Sequence, residues 1–277
     1  MSIDIQIWSD IACPWCFIGK RRFERALAAF PQRDQVRVTW RSYQLDPTLP
    51  EHYDGSEVDY LVSSKGMPRA SVEQMIGHVA EQARGEGLDY DFGALVVANS
   101  RRAHRLLQAA KRADADGGRR ADALEEALFS AHFVKGEDIG DGDTLVRLGA
   151  AAGLAEDDSR AALDSAELDA AVDADIREAA AIGVRGVPFF VVENKYGVSG
   201  AQPSEVFTQV LDKDTALYFT TTVFATVGFG DIVAASNPMK LLVTLQMLLN
   251  LVVFGLVIRV ITSAAQRGMA RKKKDQN

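Results

Sequence analysis

At 277 residues, 47% hydrophobic and 25% charged, the chain is long enough for one large domain or two ordinary ones with a real core. Its net charge of −7 argues against nucleic acid, whose phosphates need a basic footprint. Two cysteines, Cys13 and Cys16, are too few for a disulfide framework and, alone, for a zinc site.

The N-terminus, "MSIDIQIWSD", has no basic n-region, apolar h-region or cleavage site, so the first 213 residues are expected to be of cytoplasmic type. Residues 3–8 read as a short strand. The apolar positions Phe17, Phe23, Leu27 and Phe30 suit a helix starting near Pro14, where a missing N–H has no intrahelical partner to lose. Residues 35–45 are strand-like again, completing a βαβ unit. A helical region follows over about 56–183, divided by Gly-containing breaks such as "GEGLDYDFG" and "KGEDIGDGD". Then "VPFFVVEN" and "YGVSG" read as a hairpin, and "AQPSEVFTQVLDK" as an amphipathic closing helix. Residues 1–213 are thus expected to form one closed α/β domain.

From Asp214 the texture changes without a linker. Three acidic residues face seven basic ones over 214–277, whereas the preceding 213 residues hold 35 acidic and 24 basic. Residues 241–258 carry no charge, and Arg259 opens a basic flank. One transmembrane helix is predicted over about 238–261, followed by a basic tail. Other candidates are weak. His52, His78, His104 and His132 lack metal-ligand spacing and read as surface or satisfied residues. The carboxylate-rich stretch "AEDDSRAALDSAELDAAVDADIRE" reads as a solvated helix face.

Cys13-Pro-Trp-Cys16 carries the chemistry of the first part. Two cysteines three apart at a helix start can close a disulfide within one turn, and the partial positive charge of the helix N-terminus favours thiolate over thiol. Cys13, nearer that end and expected to be the more exposed, is the candidate nucleophile. Cys16, one turn in, is the candidate resolving thiol that closes the disulfide and releases the substrate.

"IWSDIACPWCFIGKRRFE", "RSYQLDP" and "GVRGVPFFVV…YGVSGAQP" together resemble the DsbA-like branch of the thioredoxin superfamily. Within it, they are most similar to the subgroup of 2-hydroxychromene-2-carboxylate isomerases and polyketide-cluster oxidoreductases. The resemblance covers residues 1–213. It implies a thioredoxin-like fold with a large helical insertion, a redox-active disulfide, no bound cofactor, and a cis Val187–Pro188 peptide facing the dithiol. Pro188 would then shape the substrate site with Cys13 and Cys16. Dithiol–disulfide exchange on a protein or small thiol is the implied reaction. A glutathione-dependent isomerase is the alternative, although that branch usually has Ser at the nucleophile position.

"TVGFGD" (226–231) resembles the selectivity filter of prokaryotic two-helix potassium channels, with Phe for the commoner Tyr. "ALYFTTTVFA" before it resembles a pore helix, and residues 237–268 the inner helix, with Gln246 and Asn250 sharing a face. The resemblance implies K+ held by Thr226, Val227, Gly228, Phe229 and Gly230 in a homotetramer, through inward-facing carbonyls. The family's outer helix has no counterpart in this sequence. With the filter outside and the basic tail inside, the first 213 residues would lie outside without an export signal. The reverse arrangement carries the basic cluster across the membrane. The expected architecture is therefore an α/β, thioredoxin-like domain with a helical insertion, then a short pore helix, a re-entrant filter loop and one transmembrane helix. It reads as a fusion or mosaic of an oxidoreductase with an incomplete pore module over 214–277, joined near Lys213–Asp214 and membrane-associated through the last helix. A potassium channel subunit carrying the domain as passenger is the alternative.

Overall fold

A computed structural model of the chain describes residues 2–51, 53–114, 118–212 and 232–274. The expected pore helix, the filter at Thr226–Gly230, the join at Lys213–Asp214 and His52 lie outside the described residues.

Strand β1 (Ile3–Ser9), helix α1 (Pro14–Ala29) and strand β2 (Val36–Ser42) form the first unit, with β1 and β2 parallel over Ile3↔Val36 to Ser9↔Ser42. Seven helices follow: α2 (Glu57–Lys65), α3 (Arg69–Gly85), α4 (Arg101–Ala113), α5 (Arg119–Phe129), α6 (Gly142–Ala151), α7 (Glu156–Leu163) and α8 (Ala166–Ile182). A hairpin of β3 (Phe189–Val192) and β4 (Tyr196–Ser199) then returns antiparallel to β1, and α9 (Ser204–Leu211) packs against α1.

The alternation along the strands sorts side chains onto two faces. Ile5, Ile7, Phe190, Val192 and Val198 join Phe17 and Phe23 of α1 and Phe207 of α9 in the main core. Trp8, Phe189 and Val191 face the other way, toward Ala179 of α8. The Trp8 indole N–H donates to the Asp175 carbonyl at 2.9 Å, so the one polar atom of that ring is satisfied. Helix α2 starts with a reciprocal capping box: Ser56 Oγ accepts from Asp59 N at 3.1 Å while the Asp59 carboxylate reaches back to Ser56 N.

The carboxylate-rich stretch is largely the solvated face expected of it: Glu156, Asp157, Asp158, Asp164, Glu167 and Glu178 are exposed. Asp175 departs from that expectation. Asp175 is buried and accepts from Arg41 (2.8 Å), Ser42 N (3.0 Å), Gln108 (2.6 Å) and Lys111 (3.0 Å), while Asp169 and Asp173 pair with Arg101. Arg41 of β2 and Lys111 of α4, remote in sequence, draw this one carboxylate inward. The residues just before the apolar helix, to which the sequence assigned no element, hold a strand. Ile232–Ala234 forms a fifth strand, β5, antiparallel to β4 with Val198↔Ile232 and Tyr196↔Ala234. The sheet order is β2-β1-β3-β4-β5. The unpaired backbone groups of β4 are what a three-residue strand can satisfy.

The last helix, α10 (Asn237–Lys274), runs beyond the predicted 238–261 into the basic tail. Its residues Pro238–Leu256 are long and apolar enough to cross a bilayer. Its first turns touch the domain. Met239 and Val243 pack on the main core, and Lys240 Nζ donates to the Ile182 carbonyl at 2.9 Å, at the C-terminus of α8.

Candidate functional site

The β1–α1 junction places both cysteines. Cys13 is the N-cap residue of α1, with Pro14 at the first helical position, and its amide donates to the Asp10 carbonyl at 3.0 Å. Cys16 follows one turn later, its amide donating to the Cys13 carbonyl at 3.0 Å. Both cysteines are thiols, and both are buried: Cys13 is 4% exposed and Cys16 1%. Cys13 is the more exposed of the two, as expected, but by a small margin. The helical insertion arches over it, and what distinguishes the pair is orientation rather than exposure. Cys13 lines a cavity, whereas Cys16 faces the core. Burial, and then the neighbouring Cys13, push the Cys16 thiol well above the ordinary range.

Val187–Pro188 is a cis peptide, and the Cys13 thiol lies 3.5 Å from the Val187 carbonyl oxygen. Pro188 also lies against α1. A Cβ added to Gly19 would sit 2.9 Å from Pro188 Cγ, so this turn of the helix needs a glycine for the approach. The structure thus brings Cys13, Cys16 and Pro188 to one place.

The cavity beside Cys13 has a volume of about 340 Å³. One wall is Asp10, Ala12, Cys13, Pro14 and Trp15; the insertion supplies Glu57, Tyr60, Leu61 and Lys65 of α2 and Met75, Ile76 and Val79 of α3. Leu45, Asp46, Val97, Ser100 and His132 close it. Leu45 and Met75 are the exposed large apolar residues outside α10 among the described residues, and both stand at this cavity.

Sequence reasoning missed four titratable groups in this region. Asp10 is buried, with its carboxylate 3.3 Å from His104 Nε2 and accepting from Leu45 N at 2.7 Å. Burial alone would raise its pKa, but the contacts to His104 and Leu45 N hold it below the ordinary value. Glu125 of α5 is fully buried and pushed up to about 7 by burial. Ser9 of β1 lies near enough to the Glu125 carboxyl and the Cys16 thiol to favour the charged form of each. Glu57 is also raised to about 7, with burial its one cause. His132, read from the sequence as a surface or satisfied residue, is 3% exposed, and its Nδ1 has no hydrogen-bond partner among the described residues. Burial lowers its pKa to about 4, so it is neutral at pH 7. It sits where α5 widens into a π turn, with Lys135 N donating to the Ser130 carbonyl at 3.0 Å. No local motif announces any of these four. Among the described residues no cluster of His, Cys, Asp and Glu could hold a metal ion.

Known proteins fit this geometry. Residues 4–212 match the DSBA-like thioredoxin domain family, and residues 184–267 match an ion channel family. The two matches overlap at 184–212, where the chain forms β3, β4 and α9 of the sheet domain. The chain is 42% identical to a probable DsbA oxidoreductase from Streptomyces coelicolor, whose structure superposes with a TM-score of 0.71, covering 78% of this chain and 90% of that one. It is 23% identical over 215 residues to YwbO, an uncharacterized protein of Bacillus subtilis, covering 77% of this chain and 98% of the relative. A solved 2-hydroxychromene-2-carboxylate isomerase shares the fold at 11% identity, with a TM-score of 0.52 over 81% of this chain and 98% of that one. Between them the dithiol at the head of α1, the five-stranded sheet and the family match leave one assignment: the chain belongs to the DsbA-like thioredoxin family, with an ion channel family matched over residues 184–267.

Proposed function

We propose that the chain catalyses thiol–disulfide exchange through Cys13 and Cys16 on a protein or small-thiol partner, and that α10 holds it at a membrane. The observation that carries this reading is the pair of thiols one turn apart at the head of α1, with Cys13 toward a cavity and Cys16 behind it. Cys13 attacks a substrate disulfide as thiolate, giving a mixed disulfide; Cys16 then attacks Cys13 and releases the reduced substrate. The Val187 carbonyl, 3.5 Å from the Cys13 thiol, supports a role for the cis peptide in meeting the substrate's backbone. The test is reduction of insulin by dithiothreitol in the presence of full-length protein in detergent. Cys13→Ser should bring the rate to the uncatalysed background, and Cys16→Ser should accumulate a mixed disulfide visible by mass. Wild-type turnover by Cys13→Ser would overturn the assignment.

The channel-family match favours a second activity for the tail: potassium conduction by a homotetramer, with K+ held by the carbonyls of Thr226, Val227, Gly228, Phe229 and Gly230. Barium-blockable K+ flux in vesicles carrying the full chain would support it, and flux no greater than in empty vesicles would remove it.

A further inference from the structure

The lining of the cavity over Cys13 is more selective than thiol exchange requires. Most of it is apolar: Trp15, Leu61, Ile76, Val79 and their neighbours. The charged groups among its lining residues are Asp10, Asp46, Glu57 and the single cation Lys65. Asp10 is matched internally by His104. Asp46 accepts from the Tyr60 hydroxyl at 2.8 Å and from Thr48, and the one charge that favours its ionised form is Lys65. Glu57 stands in the first turn of α2 and lines the cavity, and no basic side chain pairs with it among the described residues. An acid in that position attracts a cation that enters, because a low-dielectric wall strengthens the attraction, which offsets part of the cation's lost hydration. The volume of about 340 Å³ suits a compact molecule and is small for a folded protein surface or for the hexapeptide-sized disulfide of glutathione.

We propose that this cavity is the substrate site for a small disulfide bearing an amine, R–S–S–R, whose ammonium lies toward Glu57 and Asp46 while one sulfur meets Cys13. The inference rests on the dithiol reading above and deepens it. The Cys13 thiolate attacks one substrate sulfur, forming Cys13–S–S–R and expelling R–S⁻, which takes up the proton the Cys13 thiol released. The Cys16 thiolate then attacks the Cys13 sulfur, closing the Cys13–Cys16 disulfide and releasing the second half as thiol. Two electrons pass from the dithiol to the substrate, so one reduced protein consumes one R–S–S–R. Anionic disulfides meet two carboxylates and a single lysine, and are disfavoured.

The experiment mixes pre-reduced, full-length protein in detergent with cystamine, bis(2-hydroxyethyl) disulfide, 3,3′-dithiodipropionate or insulin, and follows the single turnover by tryptophan fluorescence. Rates are divided by those of free dithiothreitol with the same compounds. Cystamine is expected to exceed the neutral disulfide by roughly tenfold and the anionic one by more. Glu57→Gln should bring the cystamine-to-neutral ratio down toward that of dithiothreitol. Lys65→Gln, a change at an exposed residue, should raise the ratio instead, so the inference is testable even where Glu57→Gln fails to fold. Equal corrected rates for the three small disulfides, or a ratio indifferent to both substitutions, would overturn it. Insulin reduced without any preference among the small disulfides leaves the dithiol reading standing and removes this one. Reduction of none of the four removes both.

Discussion

Residues 2–212 and helix α10 obey one rule, that apolar surface leaves water, in opposite ways. The domain satisfies it internally: Ile5, Ile7, Phe17, Phe190 and Val198 are sealed between the sheet and its helices. Its buried Asp175 is bonded to four partners at once. Helix α10 does the reverse, with Leu245, Leu248, Leu251, Val252 and Leu256 all more than half exposed. An apolar surface of that extent on one helix is stable only against a bilayer or another protein. Stability within the domain is therefore a property of the chain, while that of the helix is a property of its surroundings.

The comparison is most sharply broken by charge on α10. Leu248→Lys with Val252→Lys places two ammonium groups mid-span, at about 3 kcal/mol each against insertion. The protein should shift from membrane to supernatant in a carbonate wash, with the domain's melting temperature unchanged. Retention in the pellet would show that α10 is not the anchor. The converse substitution lies in the domain. Asp175→Ala leaves Lys111 without its carboxylate and Arg41 with Glu178 alone at 3.5 Å, a loss of about 3 kcal/mol by urea unfolding, with partition unaffected. A loss under 1 kcal/mol would mean that the buried network is not what holds α8 to β2.

Glu125 tests the same interior by pH. Its folded-state pKa of about 7 lies above the ordinary 4.5, so the folded chain holds this proton more tightly than the unfolded one. Its contribution is thus fully present below about pH 4.5 and is lost as pH rises to 7. Glu125→Gln, which has no proton to lose, should match the wild type near pH 4.5 and gain up to about 3 kcal/mol over it above pH 7. A difference independent of pH would sink this account. The smallest effect expected is that of Gly19→Ala, whose new Cβ must displace Pro188. It should cost about 1–2 kcal/mol of stability and slow exchange, read by melting and by insulin reduction.

The sequence was a good guide wherever the signal was local and a poor one wherever it was not. The βαβ start, the helical region and the hairpin could be read because alternation, Pro14 and glycine breaks act over a few residues. The dithiol could be read because its two sulfurs are one turn apart. Strand β5 could not, since Ile232–Ala234 is too short to show a period and is a strand only because β4 offers an open edge. Asp175 looked like solvent-facing acid because Arg41 and Lys111 lie more than sixty residues away in the chain. Glu57 and His132 reach the neighbourhood of Cys13 only through the packing of α2 and α5, which no spacing near residue 13 encodes.

The contact of Lys240 with the end of α8 has a consequence for reach. Two residues, Ala235 and Ser236, separate β5 from α10, and Lys240 and Met239 fasten the helix's first turns to the domain. A tether of that length has no slack. With α10 seated in a bilayer, the domain would turn with its anchor and keep its cavity at one height and bearing above the lipid. A long flexible linker would let the dithiol sweep a hemisphere; this junction would hold it as a fixed port.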